Sequence, residues 1–290
     1  MSGISAFCCV TKPEERQDPW RESIASVLSW ADEVVVVCGH KDDEALIKGT
    51  FKEDKVRCVY LEWPEEFGWE ELPKHLNLGL SECKGDWAVR FDADYVFEDN
   101  RNFPDGIRRE FEKRLFDENK NKVAVTFQKM SAVLSTRFYS KASPELGINK
   151  REFPQIAFGL ATDHYTDLCV PIMPGNGKQK GIPVGETVSF LGVGRTGIYI
   201  YNYDYTFKTL EFTKKEFLRF SLAHQKFFGW THWGTTEGTS FEKFLEQMSG
   251  RLKKCTHDLS YERQPLFIQE KIKAISEDCF GYNGWGLLES

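Results

Sequence analysis

Through the first third of the chain, short apolar runs alternate with stretches whose apolar residues recur every three to four positions. Ile4 to Val10 (ISAFCCV) reads as a buried strand, and Trp20 to Trp30 as an amphipathic helix with Ile24, Val27 and Leu28 facing inward. Glu33 to Cys38 (EVVVVC) is a second strand, Val56 to Leu61 a third, Trp69 to Cys83 a second long helix, and Asp86 to Phe91 a fourth strand. Runs that are apolar on both alternating faces, separated by helical periods, predict an α/β protein with a mostly parallel central sheet covered by helices on both sides. Ligands of such sheets bind beyond the carboxyl ends of the strands. Three of these four strands end in polar loops, Thr11-Lys12-Pro13-Glu14, Gly39-His40-Lys41-Asp42 and Asp92-Ala93-Asp94, which are expected to converge on one crevice.

The third loop carries the strongest chemistry. In Gly85-Asp86-Trp87-Ala88-Val89-Arg90-Phe91-Asp92-Ala93-Asp94 an apolar strand stops at two carboxylates one residue apart. In an extended chain residues i and i+2 share a face, about 6 to 7 Å apart. Mg²⁺ and Mn²⁺ take hard oxygen ligands and use one or two protein carboxylates, leaving other positions for water and substrate phosphates. Asp92 and Asp94 are therefore candidate ligands of a metal–diphosphate site.

The order ISAFCCVTKPEE, WRESIASVLSWADEVVVVCG, LPKHLNLGLSECKGDWAVRFDADYVF resembles the nucleotide-binding half of family 2 glycosyltransferases, which have the Rossmann-like GT-A fold. The resemblance covers residues 4 to 98 and is most specific in the Asn77-x-Gly79 helix followed by Gly85-Asp86, an apolar strand and Asp-Ala-Asp. It implies a nucleotide-sugar donor, UDP-linked, with Thr11, Lys12, Glu14 and Gly39 around the base and Lys74 and Asn77 nearby, on the helix that in the family lies under the diphosphate. Asp92-Ala93-Asp94 would then lie against the ribose and an Mn²⁺ or Mg²⁺ ion. The chain departs from the pattern at Cys38-Gly39-His40, where the second strand usually ends in an acid, and at Asn202-Tyr203, where some members have His-Tyr.

The second half carries weaker patterns. Asn102 to Asn119 predicts a charged amphipathic helix, Val123 to Gln128 a strand, and the stretch through Lys180 is irregular, with Pro171 to Pro183 (PIMPGNGKQKGIP) expected as a mobile loop. Ile198 to Tyr203 alternates like a strand. Leu218 to Gly229 and Ser240 to Cys255 read as helices, the latter with Phe241, Phe244, Leu245, Met248 and Leu252 on one face. Residues 1–130 form the expected nucleotide-sugar-binding half, and 131–290 the acceptor half with its helical, irregular C-terminal elaboration, in one continuous domain. An inverting transfer needs a base for the acceptor hydroxyl. Asp163 is placed first, then Asp167 and Glu186, with Asp204 in YNYDY a further candidate. Among histidines that could complete a metal shell, His232 stands with His164 and His224. Two phosphate-loop lookalikes carry nothing: Gly192-x-Gly194-x-x-Gly197 leads into a strand rather than a helix, and Gly175-Asn176-Gly177-Lys178 lacks the spacing of a nucleotide-binding loop.

Composition narrows the picture further. With 290 residues, 41% hydrophobic, the chain can bury a sizeable core. Its net charge of −6 and scattered basic residues disfavour a nucleic-acid groove, leaving a modified nucleobase in DNA as one acceptor class beside glycans, lipid-linked sugars and protein side chains. Eight cysteines without C-x-x-C spacing read as reduced thiols, and no apolar run reaches membrane-spanning length, so a cytoplasmic protein without stable membrane insertion is expected. Two alternatives remain: a nucleotidyltransferase, for which Thr11-Lys12-Pro13-Glu14 is a poor phosphate loop, and a non-catalytic module that binds a nucleotide-sugar or glycan.

Overall fold

The structure, a computed structural model, describes residues 3–66, 68–160, 169–173, 180–181, 192–255 and 257–288. In chain order its elements are β1 (Ile4–Val10), α1 (Trp20–Leu28), β2 (Glu33–Cys38), α2 (Asp43–Thr50), β3 (Val56–Tyr60), α3 (Glu71–Glu82), β4 (Trp87–Arg90), β5 (Tyr95–Phe97) and α4 (Ile107–Glu112). They continue with β6 (Ala124–Val133), β7 (Ser135–Asn149), β8 (Ala157–Leu160), β9 (Cys169–Met173), β10 (Lys180–Gly181), β11 (Val193–Asn202), α5 (Leu210–Phe228), α6 (Glu237–Leu252), β12 (His257–Asp258), α7 (Leu266–Lys273) and α8 (Phe280–Asn283).

The protein is an α/β fold built on one central sheet of order β3-β2-β1-β4-β7-β6-β11-β5, with β12 paired to β7. The strands from β3 to β4 run parallel, as do β6 and β11, while β7 enters antiparallel between β4 and β6. Parallel strands need both faces covered, and the period-2 alternation of β1 supplies two apolar faces at once. Ile4, Ala6, Cys8 and Val10 pack with Ile24 and Val27 of α1, whereas Phe7 packs on the other side with Leu76 and Leu80 of α3. Gly79 makes the second contact possible, since a Cβ there would stand 2.8 Å from the Phe7 ring. The C-terminal part covers the distant half of the sheet: α7 adds Ile268 and Ile272 to a cluster with Tyr139, Tyr201 and Tyr203, and α6 brings Phe244 and Met248 against Val133 and Leu134.

Several expectations change. The helix expected over 102–119 is broken: a 3₁₀ turn at Asn100–Asn102 gives way to Gly106 at φ 87°, then to α4, and Lys113–Glu118 winds as a π-helical turn. Pro104 and Gly106 explain the late start. The expected helix at Leu218 is the second half of one beginning at Leu210, capped by Thr209 and closed by Gly229 at φ 78°. The strand expected over 123–128 runs on to Val133. Part of the expected loop 171–183 is sheet, because Pro171–Met173 ends β9, which pairs with β8 and with β10. The rest of that loop lies outside the described residues. Gly192 is a turn residue, and the remaining glycines of the dismissed motif belong to β11, whose register shifts between Arg195 and Tyr199 around Gly197 at φ 71°. Among the described residues no helix is long and apolar enough to cross a membrane.

Candidate functional site

The chain steps from β1 outward through β2 to β3, then returns to lay β4 on the other side of β1. The gap between the carboxyl ends of β1 and β4 is therefore the point where strand order reverses, where open α/β sheets bind ligands. Asp92-Ala93-Asp94 leaves β4 at that gap. The Asp92 carbonyl accepts Ser23 Oγ at 2.9 Å and the Tyr95 amide at 3.0 Å, which turns the chain sharply into β5. From the far side the Tyr203 amide donates to the Asp94 carbonyl at 3.0 Å, bringing the exit of β11 beside the acidic turn.

The two carboxylates have different surroundings. Asp92 keeps 38% of its side chain exposed and accepts Arg90 Nη2 on both oxygens, at 3.2 and 3.3 Å. Burial pushes its carboxyl up, but Arg90, Lys129 and the Tyr95 hydroxyl outweigh that and hold it below the usual range. Asp94 is pushed well above that range by burial and then by the carboxylates of Asp204, Asp18 and Asp92, with Lys208 opposing. Behind it lies an ion cluster. Lys208 is 1% exposed and reaches Asp18 at 3.2 Å, Asp204 at 3.3 Å and Glu216 at 2.8 Å. Arg16 closes it with 3.0 Å contacts to Asp18 and Glu216.

The loops after β1 and β2 meet as expected. Both Asp43 oxygens accept main-chain amides, Lys12 at 3.0 Å and His40 at 2.8 Å, so one buried carboxylate joins the two loops. Burial outweighs these bonds and raises its carboxyl. A Cβ on Gly39 would collide with the Thr11 hydroxyl. Lys12 sits in the left-handed region at φ 45°. Glu14 receives Trp20 Nε1 at 3.0 Å and pairs with Arg21 at 2.5 Å, while Lys74 pairs with Glu71 at 2.6 Å on the surface of α3.

Two expected residues stand elsewhere. Asn77 does not present a free amide: its Nδ2 donates to the Phe158 carbonyl at 3.0 Å and its Oδ1 accepts the Phe158 amide at 2.6 Å. It latches β8 to α3. His232 packs among aromatic rings, 4.3 Å from Trp233 and 5.7 Å from Trp230 by ring centroids, with burial and then His224 lowering its pKa. Asp163, Asp167, Glu186 and His164 lie outside the described residues. The sequence reading passed over Asp18, Lys208, Glu216 and Arg16. Their only signal was a run of charges between aromatic residues in segments far apart in the chain.

A divalent cation fits the acids of the turn in one respect. Asp94, Asp92 and Asp204 are hard oxygen donors, and the mutual repulsion that raises Asp94 is what a cation would relieve. Among the described residues no group of three or more His, Cys, Asp or Glu is arranged to hold a metal. A site that shares its ion with a diphosphate needs fewer protein ligands than that.

No protein-family model and no curated protein matches the chain. Among solved structures it is similar to Staphylococcus aureus TarS 1–349 at 11% identity and TM-score 0.40, over 100% of this chain and 91% of that one. TarS 1–349 in complex with UDP gives 13% and 0.42, over 96% and 84%. Rv0371C of Mycobacterium tuberculosis H37Rv in complex with manganese gives 10% and 0.32, over 50% and 70%. Identities and TM-scores at this level decide nothing about what the chain binds.

Proposed function

We propose that the protein is a metal-dependent glycosyltransferase of the GT-A type, moving a sugar from a UDP-linked donor to an acceptor hydroxyl with inversion. The observation that carries this reading is the Asp92-Ala93-Asp94 turn at the strand-order reversal, where Asp94 is crowded by Asp204 and Asp18. In this reading Thr11, Lys12, Glu14 and Gly39 border the base. Lys74 would lie on the same rim, while Asn77 serves the fold by joining β8 to α3. Asp92, turned by Arg90, faces the ribose.

Mn²⁺ or Mg²⁺, held by Asp94 with Asp92 or Asp204, would offset the charge that gathers on the diphosphate leaving group. The residues of the chain do the rest by positioning. The acceptor oxygen forms a bond to the anomeric carbon as the bond from that carbon to the diphosphate oxygen breaks. The hydroxyl proton passes to a carboxylate drawn from Asp163, Asp167, Glu186 and Asp204. His232 is left out of the metal set because its ring is engaged with Trp230 and Trp233.

Thermal unfolding with UDP-, GDP-, CMP- and dTDP-sugars, each with and without Mn²⁺, tests the proposal. A ligand at ten times its dissociation constant adds about 1.4 kcal/mol, a shift of a few degrees for a chain of this size. The expected result is a shift with the UDP-sugar that requires Mn²⁺. No shift with any nucleotide would sink the assignment.

A further inference from the structure

A cavity of 640 Å³ opens beside Asp204, lined by the second half of β6, the middle of β7, the end of β11 and the end of α6. Its walls carry Lys129, Lys141, Arg251, Lys254 and His257, and Asp204 is the one carboxylate among the lining residues. That balance is the reverse of the chain as a whole, whose net charge is −6. The Asp204 carboxylate is already engaged by Lys208. Among the described residues Lys129, Lys141, Arg251 and Lys254 form no ion pair. Lys129 differs from the other three. It is 7% exposed, and its ammonium donates at 2.7 Å to a neutral phenol, Tyr95 Oη. Its charge also acts on Asp92 on the far side of that phenol, so the cations left unanswered in the wall are Lys141, Arg251 and Lys254, and Lys129 adds a fixed positive field at its base. Ser131, Ser140 and Asn202 add neutral polar groups to the same wall.

We propose that this cavity is an acceptor subsite for a phosphate-bearing small molecule, a phosphate ester of a polyol or sugar. The inference rests on the glycosyltransferase reading and adds the acceptor class to it. Sheet order separates the cavity from the loops assigned to the base: those follow β1 and β2, the cavity walls come from β6, β7 and β11, and β4 with its acidic turn lies between. A phosphate held by Arg251 and Lys254 in the field of Lys129 would leave the neighbouring hydroxyls of the same molecule toward Asp204 and the acidic turn. Confinement of these cations to one pocket, rather than a basic stripe along the surface, favours a small ester over a nucleic-acid backbone.

The test is calorimetric titration of the full chain with inorganic phosphate, sn-glycerol 3-phosphate and, as the neutral control, glycerol. It is run with and without UDP and Mn²⁺, on the wild type and on a variant carrying Arg251→Gln and Lys254→Gln, with thermal melts to confirm folding. The expected result is binding of both phosphates but not glycerol, a loss of at least tenfold in the variant, and unchanged UDP affinity. Equal phosphate affinity in the two proteins, or no binding by the wild type, would overturn the proposal. So would competition between UDP and phosphate together with lost UDP affinity in the variant, which would give the cavity to the donor diphosphate. Binding of a short single-stranded oligonucleotide far tighter than that of glycerol 3-phosphate, weakened by the same substitutions, would overturn the small-acceptor form. Failure of the wild type to bind any nucleotide would count against the glycosyltransferase reading alone, because the titrations without nucleotide still decide the chemistry of the cavity.

Discussion

At the scale of single residues, two carboxyl groups make opposite predictions. Asp94 is held by backbone contacts through its carbonyl, so replacing its carboxylate with an amide leaves the turn in place. Asp94→Asn should lower transfer at least a hundredfold, the usual cost of removing one electrostatic group from such a site. Melting should stay within a few degrees or rise, since one of several repelling acids has gone. A variant with near-normal turnover would dismiss Asp94 from the chemistry. Glu98 has no part in the site and reports on the fold. It is 7% exposed, accepts the Tyr199 amide at 2.8 Å and Asn102 Nδ2 at 3.0 Å, and burial raises its carboxyl from 4.5 to about 7. A raised carboxyl binds its proton more tightly in the folded chain, so its contribution is complete below pH 4.5 and is lost as pH climbs to about 7. A shift of that size corresponds to about 3 kcal/mol as an upper figure. Glu98→Gln should therefore melt higher than wild type at pH 8 and no higher at pH 4.5, and equal differences at both would reject the assignment. Asp92 and Asp94 could be picked out in the sequence because an apolar strand has no other use for two adjoining acids. Glu98 could not, since its burial depends on β11, a hundred residues later.

Elements show why some of the chain was legible and some was not. β1, β2 and α1 are packed by near neighbours, and their periodicity is the pattern of burial itself. β7 is different: its 15 residues include Pro144 and Gly147, which read as breaks. Its ladder with β6 runs from Phe127–Glu145 to Lys129–Ala142 across a register shift, so Pro144 falls where a strand tolerates it. The charged Asp43–Thr50 helix α2 was missed too, with Asp43 and Ile47 its only buried positions. The Asn77-x-Gly79 helix is the instructive case. In the family its pattern lies under the diphosphate, and here Gly79 also admits Phe7 while the Asn77 amide binds β8. Asn77→Ala should strip the Phe158 amide and carbonyl of their partners at a cost of about 1–3 kcal/mol. Amide exchange over residues 157–160 should quicken while UDP affinity is unchanged. Weakened UDP binding with an unchanged melting point would restore the diphosphate role.

Across the whole molecule, the candidate site depends on a cluster that no single segment contains. Asp18 comes from the loop before α1, Asp204 and Lys208 from the β11–α5 connection, and Glu216 from α5, and the buried Lys208 ammonium joins all three acids. Burial pulls Lys208 down, but Asp18, Asp204 and Glu216 outweigh it and raise it well above its ordinary value. Its contribution is thus complete below about pH 10 and lost only at higher pH. Glu216, held below its ordinary value against burial by Lys208 and Arg16, contributes above about pH 4.5 and loses that contribution as pH falls further. Asp204, raised by burial against the pull of Lys208, contributes fully below about pH 4 and loses that contribution as pH rises, so the cluster's stability is flat only from where its carboxyls have all ionised up to about pH 10. Lys208→Met keeps the apolar stem and removes the charge, leaving three acids with Arg16 and, 3.9 Å from Glu216, Arg219 to balance them. Breaking a buried pair in this way costs about 3–5 kcal/mol. The penalty should be largest at pH 8 and shrink toward pH 5, as the stranded carboxyls take up protons, while metal-dependent donor binding should fall, because Asp94 has lost the opposing charge of Lys208 and is protonated more readily. A loss that is the same at both pH values would mean that Lys208 supports the fold by packing alone, and that the charge of Asp94 is set without it.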